Sequence, residues 1–297
     1  MKKTEAKVCS SECARYLGLP HIGKKILLSQ PTALESNEPG SLKFFTKTTM
    51  GNYNFLNKSN EAFYVLHADL ELGIDVPHVK SNNPRLDYCK LLNKFFKLDK
   101  ISGIEESAAI GKNVQIEEGV YIGHNVVIGA DTRIGSNTRI LHNVVIAEKT
   151  TIGHDCLIKS GTVIGQKGFG FERDYDGKPM EFVHYGKVTI GNWVEIGALN
   201  TIAQGVFTET IISDGVKTDD QVHIAHNVHV GNSSLIVDQA AINGSVVIGK
   251  NVWVGPNSTI IDGVTIGDGV FIGMGAVVIK GVEENSTMIG NPAHKLR

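Results

Sequence analysis

From Ile104 onward an apolar residue returns at every sixth position. Isoleucine stands at 104, 110, 116, 122, 128, 134, 140, 146, 152, 158 and 164, and the period resumes at Ile190, Ile196 and Ile202. It returns once more at Ile224 and continues through Val230, Ile236, Ile242, Ile248, Val254, Ile260, Ile266 and Ile272 to Val278. Two residues before these positions lies a small or β-branched residue (Val114, Val126, Thr132, Thr138, Val144, Thr162, Val188), and directly after many of them lies Gly111, Gly123, Gly129, Gly135, Gly153, Gly191 or Gly197. A six-residue period matches neither a 3.6-residue helix nor a heptad. It matches a short strand followed by a tight turn, with the side chains at i−2 and i facing inward and the glycine taking the turn conformation. One such unit cannot bury its apolar side alone, so three hexapeptides close a triangular coil and successive coils stack into a solenoid.

The period breaks twice. Residues 165–187 (GQKGFGFERDYDGKPMEFVHYGK) lie between Ile164 and Ile190, and Ile212 follows Ile202 by ten positions rather than a multiple of six. The first break reads as a loop projecting from the prism, of the long kind that carries function. Its GFGF run is more apolar than a solvated excursion requires.

Residues 1–103 are built differently. They hold only six of the chain's 33 glycines but ten of its twenty aromatic residues. KKILLSQ, SLKFFT and EAFYVLHA read as strands, and residues 85–97 read as a helix with Asn83 as N-cap, Pro84 at its first position and Tyr88, Leu92 and Phe95 on one face. The expected organisation is a small α/β domain over 1–103, a solenoid over 104–284 and a tail over 285–297. A net charge of −2 argues against nucleic acid or an anionic membrane as the main partner. No apolar run reaches the length of a bilayer span, and the basic start lacks the apolar core of a signal peptide, so a cytoplasmic protein is expected. Cys9, Cys13, Cys89 and Cys156 lack a second Cys or His pair at zinc-finger spacing and read as reduced thiols, with no metal site expected.

Histidine concentrates at one place, VHIAHNVHVG. Ile224 and Val230 are the inward positions, so His223 and His229 point outward and His226 falls at the corner between two strands. Imidazole at a corner suits general-base chemistry near neutral pH. Eighteen residues on, one coil further, lies Gly244 in AINGSVV, beside His226, where a glycine lets a reacting carbonyl approach the backbone.

The repeat resembles the hexapeptide acyltransferases, whose coils form a left-handed parallel β-helix and which assemble as trimers; a homotrimer with sites between subunits is therefore implied. GSLKFF, NNPRLDYCKLL, the solenoid, the GFGF loop and DDQVHIAHNVHVG, in that order, are similar to the UDP-3-O-acylglucosamine N-acyltransferases of lipid A biosynthesis over residues 25 to 290. That resemblance implies acyl transfer from a thioester donor (acyl carrier protein phosphopantetheine or CoA) to the amine of a nucleotide-linked amino sugar, with no tightly bound cofactor. It implies His226 as general base, Gly244 as oxyanion donor and Asp219 as the residue orienting the imidazole. It places Phe44 and Tyr53 on the nucleobase, and His223, Phe169 and Phe171 on the substrate.

The chain also departs from that family. Ala203 and Gln204 stand where the family has an Asp-Arg pair, and the family's second histidine, near Asp262-Gly263-Val264, is missing. The ending GNPAHKLR lacks a helical tail and instead resembles acetyl-CoA-dependent hexapeptide transferases, in which Asn291 and Lys295 would meet coenzyme A. An acetyl-CoA-dependent N-acetyltransferase of a different nucleotide amino sugar, for surface polysaccharide, is the alternative. Two readings from other classes stay open: a γ-type carbonic anhydrase using outward histidines such as His223 and His229 for zinc, and a non-catalytic solenoid.

Overall fold

The computed structural model of the chain describes residues 7–46, 61–70, 76–97 and 101–296. The chain divides into two compact units, Met1–Lys100 and Ile101–Arg297. In the first, Gln30–Pro31, Ser41–Phe45, Ala62–His67 and His78–Ser81 form one parallel sheet in that order. The expected KKILLSQ strand splits in two: Leu27–Leu28 pairs antiparallel to Val8–Cys9, and Gln30 opens the next strand, Gln30–Pro31, parallel to Ser41–Leu42.

The second helix, Pro84–Phe95, begins as its residues dictate. The Asn83 side chain accepts the Leu86 N–H at 3.1 Å, and Pro84, with no N–H to leave unpaired, takes the first turn. Tyr88, Leu92 and Phe95 pack on a core of Leu42, Phe63, Val65, Val79 and the fully buried Leu91. A first helix, Ser10–Leu17, adds Cys13 and Ala14 to that core. Sequence periodicity missed it, because eight residues span barely two turns.

The second unit is a parallel β-helix with three faces, sheets of eleven, nine and eight strands. The strands are mostly two residues long, and each pairs with the strand one coil later: Ile122 with Ile140, Ile128 with Ile146, Ile134 with Ile152. Positions i−2 and i both face inward, so Val126, Ile128, Thr132, Ile134, Thr138 and Ile140 lie in one continuous apolar column. The buried threonines keep their hydroxyls bonded, as in Thr138 Oγ1 donating to the Gly153 carbonyl at 2.8 Å.

The corner glycines correct the sequence reading. The left-handed conformation falls three residues after the inward isoleucine, at Asn113 (φ 57°), Asn125 (φ 56°), Asn137 (φ 58°) and Gly119 (φ 75°). Asparagine tolerates that region better than other side chains do. The glycines directly after the isoleucines, except Gly165, are not left-handed. They are required by the approach of the next coil: a Cβ on Gly129 would stand 2.3 Å from the Glu148 amide nitrogen.

Both interruptions keep the isoleucine rungs paired, with one bulge where Gln166 rather than Gly165 stands opposite Ala203. Ile152 pairs with Ile190 and Ile164 with Ile202, so the chain between them leaves the prism and returns to the next rung. Within it, Phe171–Arg173 and Pro179–Glu181 form an antiparallel hairpin. The shorter break places Ile202 beside Ile224. The segment expected as a separate tail continues the prism: Thr287–Met288 pairs with Phe271–Ile272, and His294–Lys295 folds back antiparallel. No described helix is long and apolar enough to cross a membrane.

Candidate functional site

The three clustered histidines go to three places. His223 lies on a strand of the nine-stranded face, with Nδ1 2.7 Å from Thr201 Oγ1. His229 lies on the eight-stranded face, 3.1 Å from Ser213 Oγ. His226 stands at the corner between them, half-buried. Partial burial holds the His223 imidazole below its ordinary pKa.

The tautomer of His226 follows from its neighbour. Asn227, left-handed at φ 60°, accepts the Val206 N–H at Oδ1 (3.0 Å) and donates from Nδ2 to Thr208 Oγ1 (2.8 Å), which fixes which end of its amide is oxygen. That oxygen lies 3.2 Å from His226 Nδ1, so Nδ1 carries the proton and Nε2 presents a bare lone pair. Gly244 sits beside that lone pair: a Cβ on it would stand 2.8 Å from Nε2 and 2.6 Å from Cε1. The Gly244 carbonyl accepts from Gly263, while its N–H donates to no protein acceptor among the described residues. A bare imidazole nitrogen next to a free backbone N–H is the pair that a nucleophile and a developing oxyanion require.

The pair opens into a cavity of about 470 Å³ whose lining includes His223, Phe169, Ala203 and Asp262. Phe169, 88% exposed, packs edge-on against Phe171 at 5.1 Å. The projecting loop also brings a residue the sequence reading passed over: His184, 5% exposed, with its ring 5.5 Å from that of His226. A single histidine in a loop outside the repeat gives no spacing signal, and only the fold places it here. Asn227 was legible in principle, since it follows His226 at the left-handed corner position.

Asp219 is not brought to His226, contrary to expectation. Seven residues along this chain cross to another corner, where the Asp219 carboxylate accepts the Asp220 N–H at 2.9 Å. The imidazole's partner is Asn227. Phe44 is partly buried on the first unit's core, its ring 4.7 Å from that of Tyr88, and Tyr53 lies outside the described residues. Asn291 and Lys295 are at the C-terminal end of the prism. Lys295 lines a separate cleft of about 320 Å³ and pairs with Glu283 at 3.2 Å. Among the described residues no three His, Cys, Asp or Glu side chains gather as a metal-ligand set.

Residues 245–280 match the family model of the bacterial transferase hexapeptide (six repeats). That stretch lies in phase with the six-residue period that begins at Ile104. Residues 95–168 of the hexapeptide solenoid and its approach also match a GMPPB C-terminal domain model. Among curated proteins, the UDP-3-O-acylglucosamine N-acyltransferase of Cupriavidus metallidurans is 48% identical over 80 residues, 26% of this chain and 22% of the relative. That of Ectopseudomonas mendocina is 49% identical over 76 residues, 26% and 21% of the two chains. The hexapeptide chain thus matches less than a quarter of the length of these relatives. Among solved structures, LpxA from Acinetobacter baumannii is similar with a TM-score of 0.58 and 28% identity, over 65% of this chain and 73% of that one. A UDP-N-acetylglucosamine acyltransferase is similar with a TM-score of 0.60 and 25% identity over the same shares.

Proposed function

We propose that this hexapeptide-repeat protein is an acyltransferase that moves an acyl group from a thioester to the amine of a nucleotide-linked amino sugar. The observation that carries the reading is His226 Nε2, held bare by Asn227 and set against Gly244, at the edge of a cavity large enough for a sugar. In this mechanism the amine attacks the thioester carbonyl, the new N–C bond forms, and His226 Nε2 takes the amine proton. The carbonyl oxygen becomes an oxyanion that the Gly244 N–H stabilises. Collapse breaks the C–S bond, and the imidazolium returns the proton to the departing thiolate.

The names of the matched relatives and the similarity to LpxA support a nucleotide sugar as acceptor; the donor in this reading is an acylated carrier protein, as the sequence resemblance implies. The cleft at Lys295 supports the alternative donor, CoA, although that lysine already serves Glu283. A homotrimer fits the exposed apolar run Leu235, Trp253 and Phe271 on the eleven-stranded face, which isolated prisms would leave in water.

The test is mass spectrometry of products from a panel of nucleotide amino sugars offered with acetyl-CoA and with acylated carrier protein. An N-acylated sugar is expected from the parent and none from His226→Ala of unchanged thermal stability. Normal turnover by that variant removes the mechanism.

A further inference from the structure

His184 is a buried imidazole that the mechanism above leaves unused. Its Nδ1 lies 2.8 Å from the Phe182 carbonyl, which only accepts, so Nδ1 carries the proton. Its Nε2 is therefore a bare acceptor, and it is buried with no hydrogen-bond partner. A buried acceptor left unpaired is costly, so its surroundings should show what holds it there.

They do. The Gln204 side chain donates to the His184 carbonyl at 3.0 Å and pins the residue's backbone. Two glycines of the GFGF run close over the ring: a Cβ on Gly170 would stand 2.8 Å from His184 Cε1, and one on Gly168 3.1 Å from Nε2. The same Gly168 Cβ would stand 3.2 Å from His226 Cβ and Cδ2. The unpartnered nitrogen thus faces the narrow gap between Gly168 and His226. The two rings meet edge to face, at 76°.

We propose that His184 is a positioning residue for His226: the loop holds its bare Nε2 beside the base as a fixed negative pole, which favours the imidazolium formed when His226 takes a proton. A neutral imidazole with a locked tautomer can do this without competing for the proton, because its N–H is committed to Phe182. The proposal rests on His226 being the base. It gives the projecting loop a role in the chemistry in addition to lining the cavity. The other titratable or charged groups facing the pair are Lys167 and Glu181, joined at 2.8 Å across the loop, His223 on the adjoining strand, and Asp262 on the coil beyond Gly244. All four are common to parent and variants, so a comparison isolates His184.

The experiment compares the full chain with His184→Phe, which keeps the ring's bulk without a lone pair, and His184→Gln, whose side-chain oxygen can reach the position of Nε2. The His226 ring is followed by 15N NMR titration without substrate, and kcat and KM are measured against pH. With His184→Phe the acid limb of kcat and the His226 titration are expected to move together to lower pH by about half a unit or more, with KM nearly unchanged. His184→Gln should restore most of the shift. Identical His226 titrations in the parent and both variants overturn the proposal. If the phenylalanine variant does not fold, equal titrations in the parent and in a His184→Ala variant overturn it equally. The NMR arm needs no turnover, so it remains decisive even if the acyltransferase reading fails in the product assay.

Discussion

Gly244→Ala separates the site from the scaffold with one methyl group. Gly244 is not left-handed, so its backbone accepts alanine without strain. The new Cβ would stand 2.6 Å from His226 Cε1 and 2.8 Å from Nε2, where ordinary contact begins at 3.4 Å, so the ring must withdraw by about 0.8 Å. The ring is the far end of a side chain and can turn aside, so the cost to folding is within about 1 kcal/mol. The cost to catalysis is larger. Misplacing a reacting group by roughly 1 Å lowers kcat/KM about 100-fold, equivalent to about 2.7 kcal/mol of transition-state stabilisation. Gly129→Ala supplies the contrast. There the Cβ would meet the Glu148 amide nitrogen at 2.3 Å and the Ala147 carbonyl carbon at 2.7 Å, backbone atoms that cannot move without disturbing the ladder. That variant should lose about 1–3 kcal/mol of stability. Calorimetry gives Tm, and the product assay gives kcat/KM. Parental kcat/KM in a folded Gly244→Ala protein would refute the placement of the base at this corner.

Two further outcomes follow from the same geometry. Asn227→Gly keeps the left-handed backbone but removes the oxygen that fixes the His226 tautomer; kcat should fall roughly 10–100-fold, and 15N NMR should show both tautomers of the ring. The His223 imidazole, with its pKa lowered by burial, favours the neutral form when folded, so the unfolded chain takes up its proton first on acidification. Stability should therefore drop as pH falls below about 6.5, and His223→Gln should flatten the dependence of Tm on pH; equal slopes in the two proteins would show that burial does not set it.

Much of this architecture was legible because a six-residue period admits few folds. The inward column, the corner position of His226 and its pairing with Gly244 one coil later all follow from counting. What counting missed has physical causes. The glycines directly after the isoleucines read as turn-makers, but the left-handed bend falls three residues after the isoleucine, often on asparagine or another glycine, and the glycines next to the isoleucines serve contact between coils. The resemblance implies Asp219 beside the imidazole, yet in a triangular coil the seven residues from Asp219 to His226 lead past one corner to the next. His184 was invisible because a loop outside the repeat carries no period, and its place is set by the return of the chain to the rung at Ile190 and by the Gln204 side chain. Phe44 belongs to a strand whose core packing on Tyr88 no local pattern announces.

The pairing of Ile152 directly with Ile190 has a consequence for how such a protein changes over time. The insert leaves the prism at one rung and rejoins it at the next, anchored to the shorter break where the Tyr185 N–H donates to the Val206 carbonyl and the Gln166 carbonyl accepts the Gln204 N–H. The hairpin beyond those anchors, residues 171–181, is largely exposed, so its length and side chains can change while the Ile152–Ile190 pairing stays as it is. The surface that the insert adds beside the cavity can thus vary on a scaffold that has no need to refold.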